Sequence, residues 1–286
     1  MPKAERVTLA LMADAHCGHR LGLLNPETVL TSSDGPWTPG PTQMQRHLWG
    51  KVEGLRLKTE ERAGKRGRVV VAHVGDLAQG NAFPHSLVSE EPKDQVEIAA
   101  AVLRPWLRMR CVSTLRIVVG TEAHTMGEGS MEVLAARMLA AEFPDKSVEV
   151  RWHLRATVAG ALVDLAHRGP VGGSRTHLRG NVARFYLRDR MERDFRRYGK
   201  VARLYVRAHV HDYLYIEDEL EGVPGGCRAG LVLMPPLSGM TDYARGASLS
   251  APELTTGMVF VDLRGGEVLA VRSEVDVLDL RTAEDL

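Results

Sequence analysis

Five short apolar runs in this chain each end in residues that bind metals. That repetition constrains the fold more than any bulk property. Val7-Thr8-Leu9-Ala10-Leu11-Met12-Ala13 leads into Asp14-Ala15-His16, and Val69-Val70-Val71-Ala72-His73-Val74 leads into Gly75-Asp76. Leu115-Arg116-Ile117-Val118-Val119 leads into Gly120-Thr121-Glu122-Ala123-His124. Leu162-Val163-Asp164-Leu165-Ala166 ends at His167, and Leu204-Tyr205-Val206-Arg207-Ala208 ends at His209-Val210-His211. Apolar runs of this length read as buried strands. Ligands placed just past strand ends converge on one edge of a sheet, where open α/β folds bind their ligands. Imidazole and carboxylate groups gathered there suit a divalent transition metal.

The intervening segments alternate with these strands. A helix is expected over 42–63 with Thr42 as N-cap, and another over 94–110, kinked or ended near Pro105. Two more are expected over 130–143 and 181–198, the last terminated by Gly199. Residues 20–41 read as a loop insertion, rich from residue 25 onward in Pro, Gly, Ser and Thr, and 80–93 as another loop. Beyond residue 211 the chain reads as antiparallel strands over 213–275, with Gly265-Gly266 as a hairpin turn and 277–286 frayed. The expectation is one α/β domain over 1–286.

The order and content of the five elements resemble the calcineurin-like metallophosphoesterases. Their pattern is D-x-H, G-D, G-N-H-[DE], a lone His and G-H-x-H. The first, second, fourth and fifth elements match, with Ala208 in place of the last glycine. The third departs, because Gly120-Thr121-Glu122-Ala123-His124 stands where Gly-Asn-His is expected. That variant, with the run Arg168-Gly169-Pro170-Val171-Gly172-Gly173, is similar to the phage and prophage branch. The resemblance implies a two-sheet sandwich flanked by helices. It implies two divalent cations, with Mn first and Fe, Ni or Zn as alternatives, and hydrolysis of a phosphodiester or phosphomonoester by a metal-bridging hydroxide. Asp14, His16 and His211 would hold one cation and His167 and His209 the other, with Asp76 bridging. The missing asparagine leaves Glu122 or Thr121 for the remaining position, and His124 for the histidine that assists the leaving group. His73, inside a strand, reads as structural.

Composition excludes several classes. The formal net charge is +1 over 286 residues, so overall charge names no partner. No apolar stretch reaches the ~18 residues that span a bilayer, and Met1–Arg6 enters a strand without a signal-peptide core. Cys17, Cys111 and Cys227 are too few and too dispersed for a disulfide framework, which points to a reducing compartment and a cytoplasmic protein. Charge is uneven along the chain. Residues 168–207 hold twelve Lys/Arg against three Asp/Glu, so the rest is net acidic. This segment starts and ends at metal motifs. Arg168, Arg175 and Arg179, with the glycines between them, suit a phosphate group. The following arginine-rich helix suits DNA or RNA, while a nucleotide, a smaller phosphoester or plain solvation fits it as well. A rival to catalysis is a protein that keeps the metal site and binds a phosphorylated or nucleic-acid partner without turnover. The chain carries no mark of its oligomeric state.

Overall fold

The computed structural model describes residues 5–64, 67–127, 130–170, 179–220, 227–241, 245 and 253–282. A six-stranded sheet has the order β13-β12-β1-β4-β5-β6. Its centre is parallel: β1 (Arg6–Met12), β4 (Arg68–Val74), β5 (Val112–Val118) and β6 (Ser147–Arg151). Antiparallel β12 (Glu253–Arg264) and β13 (Glu267–Asp279) close one side. A five-stranded sheet has the order β10-β11-β9-β8-β7. Here β8 (Ala161–Arg168), β9 (Leu204–Ala208) and β11 (Cys227–Leu233) are parallel, and β7 (Leu154–Val158) and β10 (Leu214–Leu220) are antiparallel edges.

Alternation along the strands explains the layering. In β1, Val7, Leu9 and Leu11 join Val163, Leu165, Leu204, Val206 and Val232 of the five-stranded sheet in one dry cluster. Ala10 and Met12 point the other way, into a cluster with the helices. Those helices are α1 (Gln43–Ala63), α2 (Pro92–Arg108) and α4 (Ser130–Glu142). Leu48, Val52 and Leu55 of α1 recur at helical spacing and are buried there. On the far face of the second sheet, α5 (Arg179–Tyr198) buries Ala183, Leu187 and Met191 against Tyr205, Leu231 and Leu233. Truncating Leu187 to Ala would cost about 2–5 kcal/mol.

Several local expectations are met by visible chemistry. Thr42 caps α1 in a reciprocal capping box with Gln45. Gly199 adopts φ 63° behind α5, and its N–H donates to Phe195 O. Gly265 and Gly266, both at positive φ, turn β12 into β13. Others are corrected. Helix α2 neither ends nor breaks at Pro105. A proline leaves the carbonyl four residues earlier without its donor, and that carbonyl, Ala101 O, accepts instead from Asn25 Nδ2 at 3.2 Å. The 20–41 insertion thus supports α2 from outside. It also holds a small hairpin, β2 (Leu30–Ser32) with β3 (Gly35–Trp37). The strands after residue 211 are not one antiparallel block: β10 and β11 join the second sheet, β11 runs parallel to β9, and β12 and β13 join the first. Residues 277–279, expected to fray, lie in β13. No helix among the described residues is long and apolar enough to cross a membrane.

Candidate metal centre

The parallel strands β1, β4, β5, β8 and β9 all deliver their C-terminal ends to one edge. The backbone there is unusual. Seven non-glycine residues have positive φ among the described residues, and five are Asp14, His16, Asp76, His209 and His211. Asp and His tolerate this region better than most residues. Each such residue still costs roughly 1 kcal/mol or more and persists only where the surroundings enforce it. The enforcement is visible. Past the ends of β1 and β4, Asp14 N donates to Gly75 O, His16 N to Asp76 O and Cys17 N to Leu77 O, at 2.8–3.0 Å. Gly75 sits at φ 88°, and a Cβ there would lie 2.2 Å from His167 Nδ1. A Cβ on Gly120 would lie 2.0 Å from Asp76 Oδ1. Both glycines are therefore required by close approach to a site residue.

Three groups bring ligand atoms within 4.8 Å of one another: Asp14, His16 and His211; Asp76, His167 and His209; and His16, Asp76 and His124. The first sheet supplies Asp14, His16, Asp76 and His124, and the second supplies His167, His209 and His211, so the site closes only when the sheets pack. His211 Nε2 lies 3.4 Å from Asp14 Oδ1 and 3.4 Å from His16 Nε2. His167 Nε2 lies 3.1 Å from Asp76 Oδ2. Asp14 Oδ1, His16 Nδ1, His167 Nε2 and His211 Nδ1 are buried without a hydrogen-bond partner among the described residues. Buried polar atoms are normally satisfied. A set of orphaned imidazole and carboxylate atoms this close together fits a pair of divalent cations.

Neighbouring groups orient the ligands. His167 Nδ1 lies 2.8 Å from Val74 O, and His124 Nδ1 lies 2.6 Å from Gln79 O. A carbonyl only accepts, so Nδ1 carries the hydrogen in both rings and Nε2 faces the site. Burial raises the Asp14 carboxyl, but His211 and His167 outweigh it and hold the group below its ordinary value. Burial likewise opposes ionisation of Asp76, and the His167 ring, with Nε2 3.1 Å from Asp76 Oδ2, overcomes it. Burial lowers the His167 imidazole too, yet Asp76 and Asp14 raise it to about 9. Burial, then His124, lowers His16 to about 3, and burial followed by His167 lowers His209. The carboxylates are thus ionised near pH 7 and His16 and His209 favour the neutral, metal-binding form, while His167 holds a proton that a cation would displace.

The third motif differs from expectation. Glu122 is exposed in the first turn of the short helix α3 (Glu122–Thr125) and belongs to none of the three groups. A strand-end loop that turns straight into a helix points its first residue outward and the residue two further on inward, which is where His124 sits, 6% exposed. Thr121 is occupied otherwise: its N–H donates to Asp76 Oδ1 at 2.6 Å and its hydroxyl to the same oxygen at 3.1 Å. It orients the central carboxylate. The sequence reading missed Glu132, which is fully buried on α4. Its Oε1 accepts from Gly120 N at 3.4 Å, its Oε2 has no partner among the described residues, and burial raises the carboxyl to about 7. An acid on the apolar face of a helix, between Met131 and Ala135, was the available signal. His73 is buried with neither ring nitrogen partnered among the described residues, and burial lowers it to about 4.

The basic segment is more self-contained than its composition suggests. Arg188 binds Asp218 on β10 at 2.7 Å, Arg190 and Arg193 bind Asp189, and Arg196 binds Glu192. Arg168 is exposed, one residue past His167. Arg175 and the side chain of Arg179 lie outside the described residues.

No family model and no curated protein matches this chain. Among solved structures it is similar to a Thermotoga maritima protein determined by NMR in solution, at 12% identity and TM-score 0.32, covering 96% of this chain and 99% of that one. It is also similar to a metallophosphoesterase from Sphaerobacter thermophilus, at 11% identity and TM-score 0.31, covering 97% and 89%. Likeness at this level decides nothing by itself, and nothing in these comparisons supports the phage and prophage branch. The site stands on its own geometry.

Proposed function

We propose that this chain is a single-domain calcineurin-like metallophosphoesterase that hydrolyses a phosphoester with two divalent cations. The observation that carries the reading is the convergence of seven ligand-type side chains from both sheets, most on left-handed backbone and several with orphaned buried atoms. Asp14, His16 and His211 would hold one cation and His167 and His209 the other, with Asp76 between them. The imidazole content suits Mn, Fe, Ni or Zn. Bound there, two cations neutralise phosphoryl oxygens and lower the pKa of water.

The chain's own groups supply the rest. Thr121 fixes Asp76 Oδ1 through its N–H and its hydroxyl, the hydroxyl also reaching Oδ2 at 3.3 Å, and Oδ2 faces His167 and His124. Gln79 O fixes the His124 ring, so Nε2 is the atom offered to the pocket, where it takes up or releases a proton at the leaving oxygen. Arg168 stands next in the chain to His167, where a guanidinium can meet a phosphate oxygen.

The test is metal content by mass spectrometry beside hydrolysis of bis-p-nitrophenyl phosphate with Mn. Two cations per chain and Mn-dependent turnover are expected. Cations without turnover would favour the binding protein, and neither would remove the reading.

A further inference from the structure

The metal pocket has a volume of about 40 Å³, room for a few water-sized groups. A space this small would take little more than a phosphoryl group, which would leave the organic group on phosphorus at the mouth. Among the described residues that line this pocket, every side chain but one is polar: histidines, Asp76, Gln79, Ser86 and Thr241 surround a single hydrocarbon, Phe83. Its exposure is 46%.

An exposed phenylalanine alone needs no explanation. This one is held in place by bonds that do not involve its ring. Ser86 N and Oγ both donate to Phe83 O, at 3.2 and 2.8 Å. The fully buried Gln95 accepts from Gly80 N at 2.9 Å and donates to Asn81 Oδ1 at 2.9 Å. On the other flank Arg20 N donates to Ser86 O and Val88 N to Gly18 O, at 2.8 and 2.7 Å. The segment 80–88 is thus tied to α2 on one side and to the loop carrying His16 on the other. The backbone under the ring is thus held beside the metal ligands while the ring itself is half in water, and an aromatic face anchored next to a phosphate site matches a flat ring carried by the phosphoester.

We infer that Phe83 is a specificity-determining residue that stacks on a nucleobase, so that the substrate class is a nucleotide unit. The inference rests on the proposed phosphoesterase reading. A free nucleotide and a nucleotide within a chain present the same base to Phe83.

Calorimetric titration of the Mn-loaded protein with inorganic phosphate, ribose 5-phosphate and adenosine monophosphate tests it. Adenosine monophosphate is expected to bind about tenfold tighter than ribose 5-phosphate. Phe83→Ala should erase that difference, and Phe83→Leu should keep part of it. Phe83→Trp should give fluorescence quenched by adenosine monophosphate and not by ribose 5-phosphate. If phosphate binds but the base adds nothing, or if Phe83→Ala weakens all three probes equally, the stacking role is overturned and the phosphoesterase reading stands. If no probe binds in Mn, both fall.

Discussion

The strand-end edge and helix α5 are the two places where this chain concentrates charge-bearing residues, and the structure treats them oppositely. At the edge, Asp14 and Asp76 are buried, their histidine neighbours leave nitrogen atoms without partners among the described residues, and the backbone is held left-handed. On α5, arginines lie in or near solvent and close ion pairs with Asp189, Glu192 and Asp218. Burying charge without partners is costly, so it persists only where another ligand completes the set. Exposed pairs contribute little and imply no ligand. Density of charge in a sequence is therefore a weaker guide to a site than charge the fold leaves unsatisfied.

The sharpest attempt to break this contrast is Asp76→Asn. It keeps shape and the Thr121 contacts while removing the charge shared by both ligand sets. Metal occupancy measured by mass spectrometry should fall, and turnover should drop by more than about a hundredfold, since even residues behind metal ligands cost 10–100-fold. A variant with two cations and parental turnover would leave the edge no more special than α5.

Next in size is His124→Ala. Its Nε2 stands 3.9 Å from Asp76 Oδ2, so the ring could serve as ligand or as proton donor. A donor role predicts about a hundredfold loss on esters with poor leaving groups and little loss on p-nitrophenyl esters, with metal content retained. Equal losses accompanied by metal loss would make it a ligand.

Glu132 sharpens the comparison without catalysis. Its carboxyl rises from an ordinary 4.5 to about 7 through burial. A raised carboxyl binds its proton more tightly when folded. Its favourable contribution is therefore complete below pH 4.5 and is lost as pH climbs through 7. In chelator-treated protein Glu132→Gln should match the parent near pH 4.5 and exceed its stability above pH 7 by up to ~3 kcal/mol. Parallel denaturation curves across this window would contradict the assignment.

The smallest effect belongs to α5. Replacing Arg188, Arg193 and Arg197 together by Glu should change stability by no more than about 1 kcal/mol per broken surface pair and leave hydrolysis of a small diester intact. Oligonucleotide binding as a function of salt is the informative measurement: a weakened affinity with a flatter salt slope would show α5 to be a binding face rather than a solvated one.

Local chemistry already marks the five strands that carry the site and the ligand types at their ends: apolar runs, Gly75 before Asp76, His209-Val210-His211. It also determined helix α1, whose capping box and apolar spacing lie within a few residues. Which groups meet was decided by the packing of two sheets, which sets Asp76 against His167 and Asp14 against His211 across long stretches of chain. The same packing turned Glu122 outward, committed Thr121 to Asp76, enclosed Glu132 behind Gly120 and supplied Asn25 to the carbonyl that Pro105 left open. Each depends on a partner remote in sequence, and burial, which shifts these groups and orphans their atoms, exists only once the sheets have closed on one another.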